Sequence, residues 1–318
     1  MQAVVLAAGK GSRLHPITTT RSKAMLPILG QPIVERVMEG LAHNGVDEFI
    51  LVVSPDDADI ITYFNNESPL RGHVTYVEQK ERCGMAHALL QAAPHIRGQF
   101  VLSACDNLVS EEHVEELLAV HQAGSSTQAT LSLIKVPPEL VSRTGIVEMR
   151  EGLITRIVEK PKLSQAPSDI ASLPLYVFTL RILDYLPNVP RSPRGEYELQ
   201  DAIQMLIDEG GQVRGVLTDS RLTLTDASDL LEINRRYLNG DLRLHLEPYT
   251  VGHNTQLITP LRIESGITIG ADCVIGPQVY IERDCTIGSN TTIRDAVVLH
   301  GTVVPAGSTI VGQVVSSP

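Results

Sequence analysis

Four cations and no carboxylate occupy the first 34 residues of a chain whose formal net charge is −11: Lys10, Arg13, Arg21 and Lys23. Concentrated positive charge in an acidic protein fits a small anion held locally. The segment AAGKGSRL follows the apolar run QAVVL, so Gly9 and Gly11 can bring backbone N–H groups against phosphate oxygens. Arg13 and Lys23 would offset the remaining charge. The loop is not a Walker A motif, because no Lys-Ser or Lys-Thr pair follows its second glycine, and it lacks the third glycine of the dinucleotide fingerprint. A plain strand-to-loop turn accounts for the two glycines but not for the cations. Asp106 follows the apolar run FVLSA, the place where open α/β sheets bind ligands. A hard carboxylate there suits Mg²⁺ bridging triphosphate oxygens, and a solvated turn aspartate is the plainer alternative.

These residues must be held by the alternation of short β-branched runs and helical periodicity that continues to about residue 240, the βαβ signature of an α/β domain. QAVVLAA predicts a buried strand. Ile33, Val34, Val37, Met38 and Leu41 recur at helical spacing, and FILVV is the next strand. VTYVE, the helical MAHALLQAA, the strand FVLSA and a helix over 111–122 continue the pattern. TLSLIKV, IVEM and LITRIVE read as further strands, YELQDAIQMLIDEGG as an amphipathic helix, and DASDLLEINRRYLNG as another capped by Asp226. After about residue 245 the period becomes six, with aliphatic residues at Val251, Leu257, Ile263, Ile269, Ile275, Ile281, Ile287, Ile293 and Leu299. Three hexads make one triangular coil, so the expectation is a short β-helix. Val304 and Ile310 keep the step but are shifted by one, which suggests a bulge or a capping coil. The expected domains are 1–240 and 241–318.

Net charge of this sign argues against nucleic acid and acidic membranes, both of which demand a cationic surface. The apolar stretch in MQAVVLAAGKGSRL has no basic leader and is too short for a signal core or a membrane span, so a cytoplasmic protein is expected. Cys83, Cys105, Cys273 and Cys285 occur in no metal or CxxC spacing, which fits a reducing compartment. Open coil ends on a β-helix need partners, so a homo-oligomer is expected.

LAAGKGSRLHPITTTRSKAMLPILGQPIV resembles the signature of the sugar-1-phosphate nucleotidylyltransferases, also called nucleotide-sugar pyrophosphorylases. QKERCGMAHALLQAAP is similar to that family's nucleobase segment, ACDNLVS to its metal segment, and RTGIVEM, IVEKP and RGEYELQDA to its sugar-binding segments. The resemblance implies a GT-A-like (Rossmann-like) mixed-sheet α/β domain, followed here by a short left-handed β-helix of hexapeptide repeats. It implies a Mg²⁺-dependent transfer of a nucleotidyl group from dTTP or UTP to a sugar 1-phosphate, such as glucose 1-phosphate or N-acetylglucosamine 1-phosphate, with release of pyrophosphate. On this reading Arg13, Lys23 and Asp106 are catalytic, and Asp106 is also the metal ligand. Leu6, Ala8, Gly9, Gly11, Gln79, Gly84 and Met85 bind the nucleotide: Gln79 pairs with a pyrimidine edge, Gly84 leaves room for the base and Met85 lies beside it. Gly145, Glu159, Lys160 and Ser172 take the sugar phosphate.

Two departures bear on function. Ser172, Leu173 and Pro174 stand where the family usually has Asn-Ala-Gly or Val-Thr-Gly, and RLTLTD places Thr223 where a second metal aspartate is usual. A non-catalytic paralogue that binds a nucleotide sugar and regulates a partner is therefore a competing reading. An acyl-transferring β-helix is a third, for which the tail supplies only His245, His253 and His300.

Overall fold

The computed structural model describes residues 1–240 and 249–317. The chain forms two compact units, Met1–Gly9 with Val34–Arg221, and Lys10–Ile33 with Leu222–Pro318. The expected boundary at residue 241 and His245 lie outside the described residues.

The first unit is built on a nine-stranded sheet. Its strands are β1 Gln2–Leu6, β2 Glu48–Val53, β3 Val74–Glu78, β4 Phe100–Ala104, β5 Thr127–Lys135, β6 Gly145–Arg150, β7 Leu153–Glu159, β8 Ile170–Phe178 and β9 Gln212–Leu217. The spatial order is β3-β2-β1-β4-β8-β5-β9-β7-β6. The first four run parallel, and β8 enters antiparallel to both β4 and β5, so the sheet is mixed. The longer helices are α1 Ile33–His43, whose first residue is grouped with the second unit, α2 Ala58–Asn66, α3 Met85–Ala92, α4 Glu111–Ala123 and α5 Leu199–Asp208.

Alternation along β5 shows how two layers are served by one strand. Ala129, Leu131 and Leu133 enter the core that holds Ala86 and Leu89 of α3 and Leu199, Ile203 and Leu206 of α5. Thr130 and Ser132 point the other way and meet His121 and His113 of α4, at 3.0 and 2.7 Å. The pleat's period of two places α3 and α5 on one face and α4 on the other.

The second unit contains α6 Ala227–Gly240, a hairpin pairing Pro27–Ile28 with Gln31–Pro32, and stacked short parallel strands. Asn234 of α6 fixes the hairpin: its Oδ1 accepts from Leu29 N (3.0 Å) and its Nδ2 donates to Pro27 O (3.2 Å) and Leu230 O (2.9 Å). Tyr249 pairs with Ile267 and Thr268 with Thr286, each 18 residues on, as three hexads per coil require. Ile263, Ile269, Ile275, Ile281, Ile287 and Ile293 are buried in one apolar column, with Cys273 and Cys285 beside them. Gly252, Gly270 and Gly288 recur at the same step because a Cβ at each would overlap the backbone of Ala271, Ser289 and Ala306 on the next coil.

The shifted positions have a definite cause. Ile275 pairs with Ile293, 18 residues on, but Val279 pairs with Ala296, 17 on, so the corner Gly276-Pro277-Gln278 is replaced by the shorter Arg294-Asp295. The shift is therefore a one-residue deletion at a corner, neither an inserted bulge nor a cap. Asp295, at that corner with φ 48°, receives both Nε and Nη2 of Arg235 on α6 at 2.7–2.9 Å.

Candidate active site

Four parallel strands of the first unit end at one sheet edge, and their next residues carry much of the expected chemistry. Ala7 N bonds Val52 O (2.8 Å), Gln79 N bonds Val53 O (2.8 Å) and Cys105 N bonds Leu6 O (3.1 Å), which aligns Ala8, Ser54, Gln79 and Asp106 along that edge. Leu6 closes β1, Ala8 is buried, and Gly9 is open, with nothing within 4 Å of where a Cβ would stand. Asp106 is 9% exposed, directly after β4, and the amide of its buried neighbour Asn107 has no hydrogen-bond partner among the described residues. Arg82, which sequence reasoning passed over, ties the edge together: its Nε donates to Ala8 O (2.7 Å) and its Nη2 to Ser54 Oγ (2.6 Å). Its signal was only a cation inside the nucleobase segment.

Gln79, Gly84 and Met85 come together around the start of α3. The buried Gln79 amide donates through Nε2 to Gly84 O (3.2 Å) and lies 3.0 Å from His87 Nδ1. Gly84 has φ 100° and ψ 176°, a region open essentially to glycine alone. A Cβ there would stand 2.6 Å from Tyr197 O and 2.9 Å from Tyr197 N, the atoms that bridge this turn by bonding Ala86 N (3.1 Å) and Cys83 O (2.7 Å). Met85 opens α3 and packs against the core.

A second group forms where β6 and β7 meet. Gly145 and Glu159 are register partners, and a Cβ on Gly145 would lie 3.0 Å from Glu159 Oε2 and 3.1 Å from Gln200 Cγ. Burial pushes the Glu159 carboxyl up, opposed by Lys160 and reinforced by Glu198. Lys160 Nζ stands 3.3 Å from Glu159 Oε1, and its backbone N bonds Thr144 O at 3.1 Å. Thr144 Oγ1 also reaches Ser172 O (3.4 Å), and Ser172 Oγ lies 3.5 Å from the phenol of Tyr176. That phenol is pushed up to about 12 by burial, with Glu159 adding to the rise. Glu198, a further carboxylate of the RGEYELQDA segment, is buried and accepts from Ser192 Oγ (2.9 Å) and Arg194 Nη2 (2.8 Å). Gly145, Glu159 and Lys160 are thus in contact, and Ser172 is joined to them through Thr144.

The cationic segment belongs to the second unit. Gly11, at φ 61°, precedes the turn Ser12–Leu14, and a Cβ there would meet Lys23 Cβ at 3.0 Å, so Gly11 and Lys23 are adjacent. Arg13 is exposed, Lys23 half-buried. Arg21 corrects the expectation of a four-cation phosphate patch: its guanidinium pairs with Glu282 (2.9 Å), a buried carboxylate that also accepts from His300 N (2.8 Å). Asp226 caps α6 as expected, accepting from Ser228 N (2.9 Å) and Asp229 N (3.2 Å). Its carboxyl is held low chiefly by the Ser228 hydroxyl, with a contribution from Arg13. Thr223 lies in the short strand Leu222–Thr223, and His253 and His300 are exposed.

Among the described residues no three His, Cys, Asp or Glu side chains converge as a metal cage. At the sheet edge Asp106 offers one hard carboxylate just after β4. No helix among the described residues is long and apolar enough to cross a membrane.

The Nucleotidyl transferase family profile matches residues 2–239, and that of the GMPPB C-terminal domain matches residues 257–317. The bifunctional protein GlmU of Methanococcus maripaludis strain C7 is 35% identical over 241 residues, 75% of this chain and 55% of that protein. UTP–glucose-1-phosphate uridylyltransferase AglF of Haloferax volcanii is 34% identical over 239 residues, 74% of this chain and 96% of that protein. A glucose-1-phosphate thymidylyltransferase of Streptomyces antibioticus is 29% identical over 302 residues, covering 93% and 83%. In fold the chain is similar to a UDP-glucose pyrophosphorylase solved with UDP-glucose, with a TM-score of 0.69 at 22% identity over 76% of this chain and 99% of the other. A nucleotidyl transferase profile spanning three-quarters of the sequence, on a mixed sheet with this edge chemistry, places the chain in the sugar-1-phosphate nucleotidylyltransferase family.

Proposed function

We propose that the protein transfers a uridylyl or thymidylyl group from UTP or dTTP to a sugar 1-phosphate, glucose 1-phosphate or N-acetylglucosamine 1-phosphate, and releases pyrophosphate. The observation that carries this reading is the Gly145–Glu159–Lys160 group. A largely buried carboxylate, its side chain 11% exposed, and an ammonium 3.3 Å apart, over a glycine that leaves the backbone bare, can accept from sugar hydroxyls and bind the sugar's phosphate. Gln79 and the Gly84 turn take the pyrimidine.

In this reaction the sugar phosphate oxygen attacks the α-phosphorus in line and the P–O bond to pyrophosphate breaks, so no protein nucleophile is needed. Arg13 and Lys23 offset charge developing on the α-phosphate and the leaving group. Asp106 would hold Mg²⁺, which supplies charge neutralisation on the triphosphate when bound. The tail is a left-handed β-helix of hexapeptide repeats that mediates self-association.

A second reading, a non-catalytic paralogue that binds nucleotide sugars, is favoured by Thr223 in place of a carboxylate and by the engagement of Asp226 in capping. A pyrophosphate-release screen of sugar 1-phosphates against UTP, dTTP, ATP, CTP and GTP with Mg²⁺ separates the two. Turnover with UTP or dTTP is expected; sugar-nucleotide binding without turnover supports the paralogue.

A further inference from the structure

The Gln79 amide can face its surroundings in two ways, offering a base either a donor or an acceptor. Two neighbours on one side set its orientation together, Gly84 O, which is an acceptor only and stands 3.2 Å from Nε2, and His87 Nδ1, and the NH₂ group lies toward both. Its second hydrogen faces His87 Nδ1 at 3.0 Å, so that ring nitrogen presents its lone pair and the imidazole proton sits on Nε2. Gln91 places its Nε2 3.4 Å from that ring nitrogen, so accepting the ring proton requires the Gln91 amide to turn over and present its oxygen. Tyr197 stacks on the same ring, with centroids 6.2 Å apart and planes at 28°. Both hydrogens of Gln79 are therefore engaged within α3 and its preceding turn. Among the described residues its Oε1 has no hydrogen-bond partner.

We propose that His87 is a positioning residue for base specificity: by holding the second amide hydrogen it locks Gln79 as a pure acceptor, matched to the N3–H imide of uracil or thymine. Cytosine presents a lone pair at N3 and would face the Gln79 oxygen acceptor to acceptor. A glutamine free to turn over would accommodate either base. This inference rests on the assignment of Gln79 to the nucleobase, and its test distinguishes failure of that assignment from failure of the lock.

Calorimetric binding of UTP, dTTP and CTP, with Mg²⁺, is compared for the wild type, His87→Leu, His87→Asn and Gln79→Leu. The asparagine oxygen replaces Nδ1 as acceptor, so His87→Asn should keep the wild-type preference for UTP and dTTP over CTP. His87→Leu should narrow that preference roughly tenfold, the scale of one hydrogen bond. Gln79→Leu should abolish it. Full preference in a folded His87→Leu, with loss in Gln79→Leu, overturns the lock alone. Preference retained in Gln79→Leu overturns the base assignment and the inference with it. Should His87→Leu fail to fold, ¹⁵N–¹H correlation of the wild-type imidazoles decides: His87 protonated on Nε2 supports the lock, and on Nδ1 contradicts it.

Discussion

Gly84→Ala concentrates several physical effects in one methyl group. At φ 100° and ψ 176° an L-residue occupies a sparsely populated region at a cost of about 2 kcal/mol. The new Cβ would stand 2.6 Å from Tyr197 O and 2.9 Å from Tyr197 N, both backbone atoms, so the turn or the Tyr197 segment must shift. That shift disturbs the bonds Tyr197 N to Cys83 O and Ala86 N to Tyr197 O, each with a net worth of about 1 kcal/mol. The sum is about 4 kcal/mol, a large fraction of the 5–15 kcal/mol typical of a native protein. Because Gly84 O also orients Gln79, UTP affinity should fall roughly tenfold in the folded fraction. Gly98→Ala is the control, since no atom lies within 4 Å of its added methyl, and it should stay within about 1 kcal/mol of wild type. Urea unfolding and nucleotide calorimetry on the three proteins give both quantities. Equal stability of Gly84→Ala and Gly98→Ala would refute the reasoning.

His113 and His121 have their basicity lowered by burial, so the unfolded chain takes up protons first as pH falls. Their contribution is present above about pH 6.5 and is lost below it, as pH falls toward the folded values, at up to about 2.7 kcal/mol per pH unit for the pair; His113→Gln/His121→Gln should flatten this slope in urea titrations at several pH values. Arg21→Ala leaves the buried Glu282 without its guanidinium and should cost about 3 kcal/mol, with partial recovery in Arg21→Ala/Glu282→Gln when a double-mutant cycle is closed by unfolding. Asp106→Asn should lower turnover by roughly 10² to 10³, whereas Thr223→Asp should lower the Mg²⁺ concentration needed, both read from pyrophosphate release across a Mg²⁺ series.

Strongly periodic segments were legible in the sequence: the helix begun by Ile33, the buried strands, and the hexads whose isoleucines form one column. Less regular segments were not. β8 begins at Ile170 although Pro174 interrupts it, because the register against β5 shifts between Ser172 and Tyr176 and the proline needs no ladder partner there. The expected helix at YELQ starts only at Leu199, since Tyr197 N and O are committed to Cys83 and Ala86. α2 carries a mixed polar sequence and was not singled out. Among the expected site residues, the proximity of Gln79 to Gly84 and of Glu159 to Lys160 was legible because these neighbours in space are also near in sequence. Arg82 and His87 act through atoms of Ala8, Ser54 and Gln79, and nothing in residue order reveals which carbonyl or amide a side chain reaches.

The most direct test is ³¹P NMR of the protein with UTP, Mg²⁺ and glucose 1-phosphate or N-acetylglucosamine 1-phosphate. Nucleotidyl transfer predicts one equivalent of pyrophosphate for each new pair of coupled diphosphate resonances, formed only when the sugar phosphate is present, with Lys23→Ala slowed roughly 10² to 10³. Hydrolysis of UTP independent of sugar phosphate, or no turnover with any pairing of UTP or dTTP and these sugars while sugar-nucleotide binding persists, would contradict it.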